Sequence, residues 1–170
     1  KKYEVVIGLT SATATTNVAR LEGFQAAIEA NYPGIEIVDV AYSESNPQTA
    51  ASNVDNWLTK YPNLDGIFAI DGTNASGAAA ALQAKNLVGK IALVGYDAYP
   101  ANVELIKSGV FTALIAQDPA EEARQAIRTL VEFIKNGTKP ASRDVVIPNV
   151  ILDANTSAED LAKYTYVATN

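Results

Sequence analysis

The sequence predicts an α/β fold: a three-layer α/β/α sandwich around a mainly parallel sheet of about six strands. Three observations predict it. Short apolar, β-branched runs alternate with longer segments of helical periodicity along the whole chain, and strict alternation implies parallel strands with crossover helices on both faces. Cap and breaker residues separate the segments. The length, 170 residues, suits one domain of this kind.

Each element has its own signal. Tyr3–Leu9 (YEVVIGL) is a short apolar run of the kind that forms buried parallel strands. Thr16–Asn31 carries Leu21, Phe24 and Ile28 as a helical stripe, and Pro33-Gly34 ends it. Ile35–Val40 is the second strand. Asn46-Pro47 reads as an N-cap followed by Pro at the first helical position. The helix it opens has Ala50, Val54, Trp57 and Leu58 on one face and stops at Pro62. Ile67–Ile70 is the third strand and Ala75–Ala84 an Ala-rich helix. Ile91–Gly95 is the fourth strand, and Asn102–Lys107 a short helix with Gly109 just beyond it. Phe111–Ala116 is the fifth strand. Asp118-Pro119 with Glu121 starts a helix that runs to Asn136-Gly137, with Ala123, Ile127, Leu130 and Ile134 as its stripe. Val145–Ile151 is the sixth strand, with Pro148 placing it at an edge or a bend. Thr156 with Glu159 makes a capping box for a last short helix. No internal repeat stands out.

Composition narrows the function classes. The chain is 48% hydrophobic and 19% charged, which is enough apolar content for a core and excludes intrinsic disorder. No stretch approaches about 18 consecutive apolar residues, so no membrane insertion is expected. The net charge is −6, and the longest basic run is Lys1-Lys2, so no nucleic-acid footprint is present. There is no Cys, His or Met. That removes thiol nucleophiles, His-based acid–base catalysis, Cys/His metal sites and disulfides. No cofactor and no metal are expected. The chain starts at Lys1 without an initiator Met or a signal peptide, and is expected to be a processed or excised segment.

Parallel α/β sheets hold ligands at the carboxyl ends of their strands. Those ends are Thr10–Asn17, Ala41–Ser45, Asp71–Asn74, Asp97–Tyr99 and Gln117. Asp71, Asp97 and Gln117 each directly follow an apolar strand, and Arg20 lies one turn into the first helix on the same rim. Two carboxylates, an amide and a guanidinium are what a sugar site needs: carboxylates accept from vicinal hydroxyls, and Arg and Gln donate to ring or hydroxyl oxygens. The plainer alternative makes the two aspartates helix caps or loop acids. Trp57, on a helix stripe, reads as core. Tyr42, in the loop after the second strand, is a candidate stacking residue. Tyr96 precedes Asp97 and, in extended backbone, points to the opposite side. The sequons at Asn74, Asn136 and Asn155 read as chance.

Other site types fail. Leu9-Thr10-Ser11-Ala12-Thr13 does not supply a dinucleotide-binding glycine loop, and Gly89-Lys90-Ile91 is not a P-loop. Thr10-Ser11 and Gln117-Asp118 stand where a phosphorylated receiver domain has its acidic pair and Lys. Phe68-Ala69-Ile70-Asp71-Gly72-Thr73 is superficially similar to the haloacid-dehalogenase motif, but Ala69 occupies the nucleophile's place. An enzyme reading lacks a nucleophile or positioned base.

Arg20-Leu21-Glu22-Gly23-Phe24 resembles the R-x-x-G-F signature of the second lobe of type I periplasmic binding proteins, a group with the ribose-binding proteins and the lactose-repressor effector domain. Further segments agree in order and spacing: Tyr61-Pro62-Asn63-Leu64-Asp65-Gly66-Ile67-Phe68-Ala69, then Gly77 with Ala81-Leu82, then Val94-Gly95-Tyr96-Asp97, and Ile115-Ala116-Gln117-Asp118-Pro119. The resemblance covers nearly the whole chain. It implies a Rossmann-like, flavodoxin-like lobe of the periplasmic-binding-protein-like I fold, with residues 1–170 as one isolated lobe. It also implies a sugar-binding role for Arg20, Asp97 and Gln117, and for Asp71, which stands where ribose binders usually have Asn. Tyr42 and Asn17 are added as ligand candidates on the same rim. Ser45 aligns with the family's stacking Phe.

The same resemblance implies a partner lobe. In the intact family two lobes clamp the ligand, and the helix after I-A-Q-x-P belongs to the first lobe. Pro119–Asn136 has lost that neighbour, so it is expected either to fold back on this sheet or to pack on another copy as a homodimer. The parent protein implied is an extracytoplasmic, non-enzymatic sugar-binding protein serving an ABC transporter permease or a sensor kinase. The alternatives are the effector lobe of a repressor-type transcription regulator, or an excised or engineered half without independent activity.

Overall fold

The computed structural model describes residues 2–167; Lys1 of the basic pair and residues 168–170 lie outside them. The described elements are β1 (Tyr3–Leu9), α1 (Thr15–Asn31), β2 (Ile35–Tyr42), α2 (Pro47–Lys60), β3 (Gly66–Ala69) and α3 (Gly72–Ala84). They continue with β4 (Ala92–Tyr96), α4 (Pro100–Lys107), β5 (Ala113–Ala116), α5 (Pro119–Asn136), β6 (Val150–Leu152) and α6 (Ala158–Tyr164). The strands form one sheet in the order β2-β1-β3-β4-β5-β6. All neighbours are parallel except β6, which runs antiparallel to β5. The predicted α/β architecture with a mostly parallel, six-stranded sheet is therefore what forms.

Two cores flank the sheet. The larger joins Val6, Ile67, Leu93 and Leu114 of the strands to Val54 and Trp57 of α2, Leu82 of α3, Val103 and Ile106 of α4, and Leu161 of α6. Trp57 is 4% exposed and is core, as its stripe predicts. The smaller joins Ile7, Leu9, Phe68, Ile70 and Tyr96 to Leu21 and Phe24 of α1. The Ala-rich face of α3 lets two helices and a sheet come close. A Cβ at Gly77 would stand 2.5 Å from the Pro47 carbonyl oxygen and 2.6 Å from the Ala50 Cβ, so α2 and α3 meet where only glycine fits.

Helix α5 departs from this packing. Asp118 caps it by accepting from the Glu121 N–H, and Gly137 closes it with a left-handed φ of 67°. None of its residues is buried. Ile127, Leu130, Phe133 and Ile134 are each more than half exposed. Of the two fates expected for this helix, folding back on the lobe's own sheet does not occur.

Smaller differences have local causes. Asp71 caps α3, so that helix starts at Gly72 rather than Ala75. Pro100 sits at the first turn of α4, which starts earlier than Asn102. Phe111 is buried in the core ahead of β5, not within it. Strand β6 is confined to Val150–Leu152 and leaves Pro148 outside. Thr156 does not cap α6: its Oγ1 accepts from Asp153 N–H and closes the preceding turn, while Ser157 Oγ accepts from Asp160 N–H at the helix start.

Candidate functional site

The carboxyl ends of β1, β3, β4 and β5 bring five of the six expected residues into one hydrogen-bonded rim. Arg20 projects from α1. Its Nη1 donates to the Ile70 carbonyl at 2.8 Å. Its Cζ lies 3.6 Å from the centroid of the Tyr96 ring. Strand alternation does not extend to Asp97, which lies past the end of β4 with left-handed backbone; Tyr96 packs in the smaller core and its ring forms the floor under the guanidinium. The Tyr96 hydroxyl accepts from Asn149 Nδ2, which fixes the ring in turn.

Asp97 follows β4 with a left-handed φ of 69°. This turn aims its carboxylate across the sheet end. Oδ2 accepts from Gly72 N–H at 2.9 Å and Oδ1 accepts from Gln117 Nε2 at 2.9 Å. A carboxylate offers about four acceptor directions, so Asp97 retains capacity beyond these two bonds. Gln117 keeps its side-chain oxygen for a donor, and its own backbone N–H donates to the Tyr166 hydroxyl at 2.9 Å.

Asp71 is nine-tenths buried. It caps α3 by accepting from Asn74 N–H at 2.9 Å, and its oxygens also accept from Asn74 Nδ2 and from Thr10 Oγ1. The helix-cap alternative for this residue is thus realised in the structure. With Asp97 on Gly72 N–H, two carboxylates face the positive end of α3, where the helix dipole favours them. Asn17, 5% exposed, accepts from Thr10 N–H at 2.7 Å. Tyr42 stands apart. It ends the edge strand β2 in register with Leu9 and is 43% exposed.

Several rim residues were not singled out from sequence. Ser43 and Asn74 are buried beneath it, with the partly buried Thr10 beside them. Asn74 was read as a sequon and as the last residue of the Asp71–Asn74 strand end, without a role of its own, and it is 3% exposed inside a helix. Tyr99 and Tyr166 form an edge-to-face pair at 5.8 Å on the β4–β5 side. They line a cleft of about 380 Å³ with Gln117. Burial, then the charge of Asp97, raises both phenols above their ordinary range; Asp71 adds to the effect at Tyr99. At neutral pH both remain protonated donors. Tyr99 was legible as an aromatic two residues after Asp97; Tyr166 has no local signal, because it reaches the rim only through the packing of α6.

Among the described residues, no three Asp or Glu side chains gather as a metal ion would need. The rim is a set of hydrogen-bonding groups around one stacked guanidinium. Such groups can donate to and accept from the hydroxyls of a polyhydroxylated ligand.

Comparison with known proteins agrees with this reading of the fold. A family model described as a periplasmic binding protein domain matches residues 1–139, and the chain belongs to that family. The D-ribose/D-allose-binding protein of Pseudomonas aeruginosa is 27% identical over 143 residues, 83% of this chain and 44% of that protein. The ribose import binding protein RbsB of Salmonella typhimurium is 30% identical over 141 residues, 81% of this chain and 46% of that protein. Among solved structures, an ABC transporter periplasmic solute binding protein from Actinobacillus succinogenes with bound D-allose superposes with a TM-score of 0.82 at 28% identity. It covers 96% of this chain and 55% of that one. An Agrobacterium vitis solute binding protein bound with alpha-D-tagatopyranose gives 0.89 at 23% identity, covering 98% and 55%, and shows the shared fold. The chain spans about half the length of these relatives. No described helix is long and apolar enough to cross a membrane.

Proposed function

We propose that this chain is one lobe of a sugar-binding protein and that it recognises a monosaccharide by hydrogen bonds at the carboxyl rim of its sheet, without catalysis. The observation that carries this is the Asp97–Gln117 pair, held at 2.9 Å, with Arg20 stacked on Tyr96, the residue next to Asp97. Donors and acceptors with unused capacity lie together there. The names of the relatives, a D-ribose/D-allose-binding protein, a ribose import binding protein and an ABC transporter solute binding protein with bound D-allose, support the same reading. The whole protein would work outside the cytoplasm, delivering sugar to an ABC transporter permease or a sensor kinase.

The chain spans about half the length of its relatives, and that matters energetically. A micromolar sugar complex is worth about 8 kcal/mol, and hydrogen bonds to charged groups contribute on the order of 1.5–3 kcal/mol each. One wall of a two-walled site supplies part of that and excludes little water. The lone chain is therefore expected to bind at millimolar concentration or not at all. The naked apolar face of α5 supports the assignment of Pro119–Asn136 to the other lobe's packing, and in this chain to a homodimer.

The test is a thermal-shift panel of pentoses and hexoses at tens of millimolar, with Asp97→Ala as control. A shift with one sugar that disappears in the variant supports the rim as a half-site. A shift that survives Asp97→Ala places the sugar elsewhere and overturns the assignment.

A further inference from the structure

Gln117 stands directly after β5, beyond the end of the strand, so its backbone N–H needs a partner from elsewhere in the fold. The Tyr166 hydroxyl supplies it, accepting that N–H at 2.9 Å across 49 residues of chain. Helix α6 delivers Tyr166 to this point. Leu161 anchors the helix in the larger core, and the chain leaves the helix after Tyr164 towards the rim.

The same residue reaches the neighbouring loop twice. Its own N–H donates to the Ala98 carbonyl at 2.9 Å, and its ring meets Tyr99 edge to face at 5.8 Å. Ala98 and Tyr99 directly follow Asp97, whose left-handed φ of 69° is uncommon for a non-glycine residue. That turn is held from within by Asp97 N–H on the Ile115 carbonyl and by Tyr99 N–H on the Asp97 carbonyl. The Tyr99 ring also lies against Gly72, where a Cβ would run into it, and Gly72 donates its N–H to Asp97. One partly buried tyrosine therefore touches both loops whose side chains make the Asp97–Gln117 pair. A glutamine side chain has three rotatable bonds before its amide, so the pair holds one geometry only where the backbones that carry it are fixed.

We infer that Tyr166 is a positioning residue for the sugar rim: with its hydroxyl on Gln117 and its backbone on Ala98, it fixes the β5–α5 loop against the β4–α4 loop and so sets the Asp97–Gln117 pair before ligand arrives. The inference deepens the sugar-rim reading above and rests on it for the nature of the ligand. Order that exists before binding does not have to be created on binding, and that is how such a residue adds affinity without touching the sugar.

The experiment is amide hydrogen exchange and proton–nitrogen NMR spectra of the full chain, followed by titration with D-ribose, D-allose and D-xylose. The variants are Tyr166→Phe, Tyr166→Ala and Tyr164→Phe. Tyr166→Phe keeps the ring and removes only the hydroxyl. The Gln117 amide is expected to exchange about fivefold faster, the order of one lost uncharged hydrogen bond, and the Gln117 Nε2 resonance to shift. Core amides such as Ile7 and Phe68 stay protected. Tyr166→Ala also removes the ring and extends the acceleration to the Asp97 and Tyr99 amides; if it folds poorly, Tyr166→Phe decides alone. Tyr164→Phe alters a neighbouring phenol beside Lys163 and behaves as wild type. Every sugar that binds the wild type weakens in Tyr166→Phe by a similar factor, about two- to fivefold. An unmoved Gln117 amide and Nε2 resonance in Tyr166→Phe overturn the proposal. So does faster exchange spread evenly over the core, which marks a merely structural residue. Unaltered affinity beside a loosened Gln117 overturns it as well, and so does a loss confined to one sugar epimer, because that marks a direct contact. A wild-type chain that binds none of the sugars sinks the sugar reading alone. The Gln117 resonances then decide the positioning by themselves, a change supporting it and constancy overturning it.

Discussion

The guanidinium of Arg20 lies over the ring of Tyr96, with 3.6 Å between Cζ and the ring centroid. The residues come from α1 and from the end of β4, and the same guanidinium donates to the Ile70 carbonyl at the end of β3. One side chain therefore ties a helix to two strand ends. Its face is covered by an aromatic ring and one edge is tied down, which orients the remaining N–H groups for a ligand.

Arg20→Lys separates charge from shape. Lysine keeps the positive charge but loses the planar fork and the stack. Sugar affinity is expected to fall at least tenfold, while stability changes by less than about 1 kcal/mol, the scale of a partly exposed cation–π contact. Titration and thermal unfolding read the two quantities separately. Unaltered affinity would remove Arg20 from the contact set.

Two glycines in helices make opposite predictions. At Gly77 a Cβ meets the Pro47 carbonyl oxygen and the Ala50 Cβ within 2.6 Å, so Gly77→Ala forces α2 and α3 apart and costs roughly 1–3 kcal/mol. At Gly23, inside the R-x-x-G-F segment, nothing lies within 4 Å. Gly23→Ala should stabilise α1 by about 0.5–1 kcal/mol. Urea denaturation of both variants checks this, and equal signs would contradict the helix contacts described.

The outer edge of the sheet carries a pH-dependent contact. Lys60 donates to Asp39 at 2.9 Å, and Tyr61 also donates to that carboxylate. The Lys60 hydrogen bond is the leading cause that holds Asp39 below its ordinary value of 3.8. A carboxylate depressed in the folded state stabilises above its unfolded value and loses that contribution as pH falls through the folded one. Asp39→Asn should therefore be less stable than wild type at pH 7, with the difference shrinking below about pH 3.8. Urea midpoints at neutral and strongly acidic pH test it. A difference that does not narrow in acid would exclude the Asp39 ionisation as its source.

The exposed stripe of α5 predicts self-association. Ile127 is 62% exposed and Ile134 is 70% exposed, and a solvent-facing apolar helix stripe gains from being covered. Light scattering is expected to show a dimer at high concentration, and Ile127→Glu with Ile134→Glu is expected to return a monomer. A wild-type monomer at the same concentration would dismiss the homodimer.

Much of the fold was legible because its signals are local. The strand runs, the Asn46-Pro47 start of α2 and the Asp118-Pro119 start of α5 are each written within a few residues. Asn46 does accept from Gln48 and Thr49 N–H. The errors are local competitions: Thr156 and Ser157 are adjacent cap-forming residues, and the turn at Asp153 claimed the first. The rim was legible as a place, since strand ends gather ligand groups in parallel sheets, and Arg20, Asp97 and Gln117 do meet there. The layer below was not. Ser43 and Asn74 are small polar residues without a motif, and their partners lie in other loops.

The sequence by itself determined the alternation of strands and helices, the rim of the sheet, and the kind of chemistry that rim offers. With no Cys, His or Met, that chemistry was limited to charged, amide, hydroxyl and aromatic groups. Tertiary structure alone decided which partner each group takes. Thr10 and Asp71 are 61 residues apart in the chain and 3.0 Å apart in the fold, and Tyr166 reaches Gln117 across 49 residues. Periodicity and caps arise from neighbouring residues, whose geometry the backbone sets. Hydrogen-bond partners across loops arise from packing, where a buried polar group must find whichever complement the folded chain brings within reach. That is why two aspartates at equivalent strand ends looked alike in sequence and came to have different surroundings, one partly exposed and one nine-tenths buried.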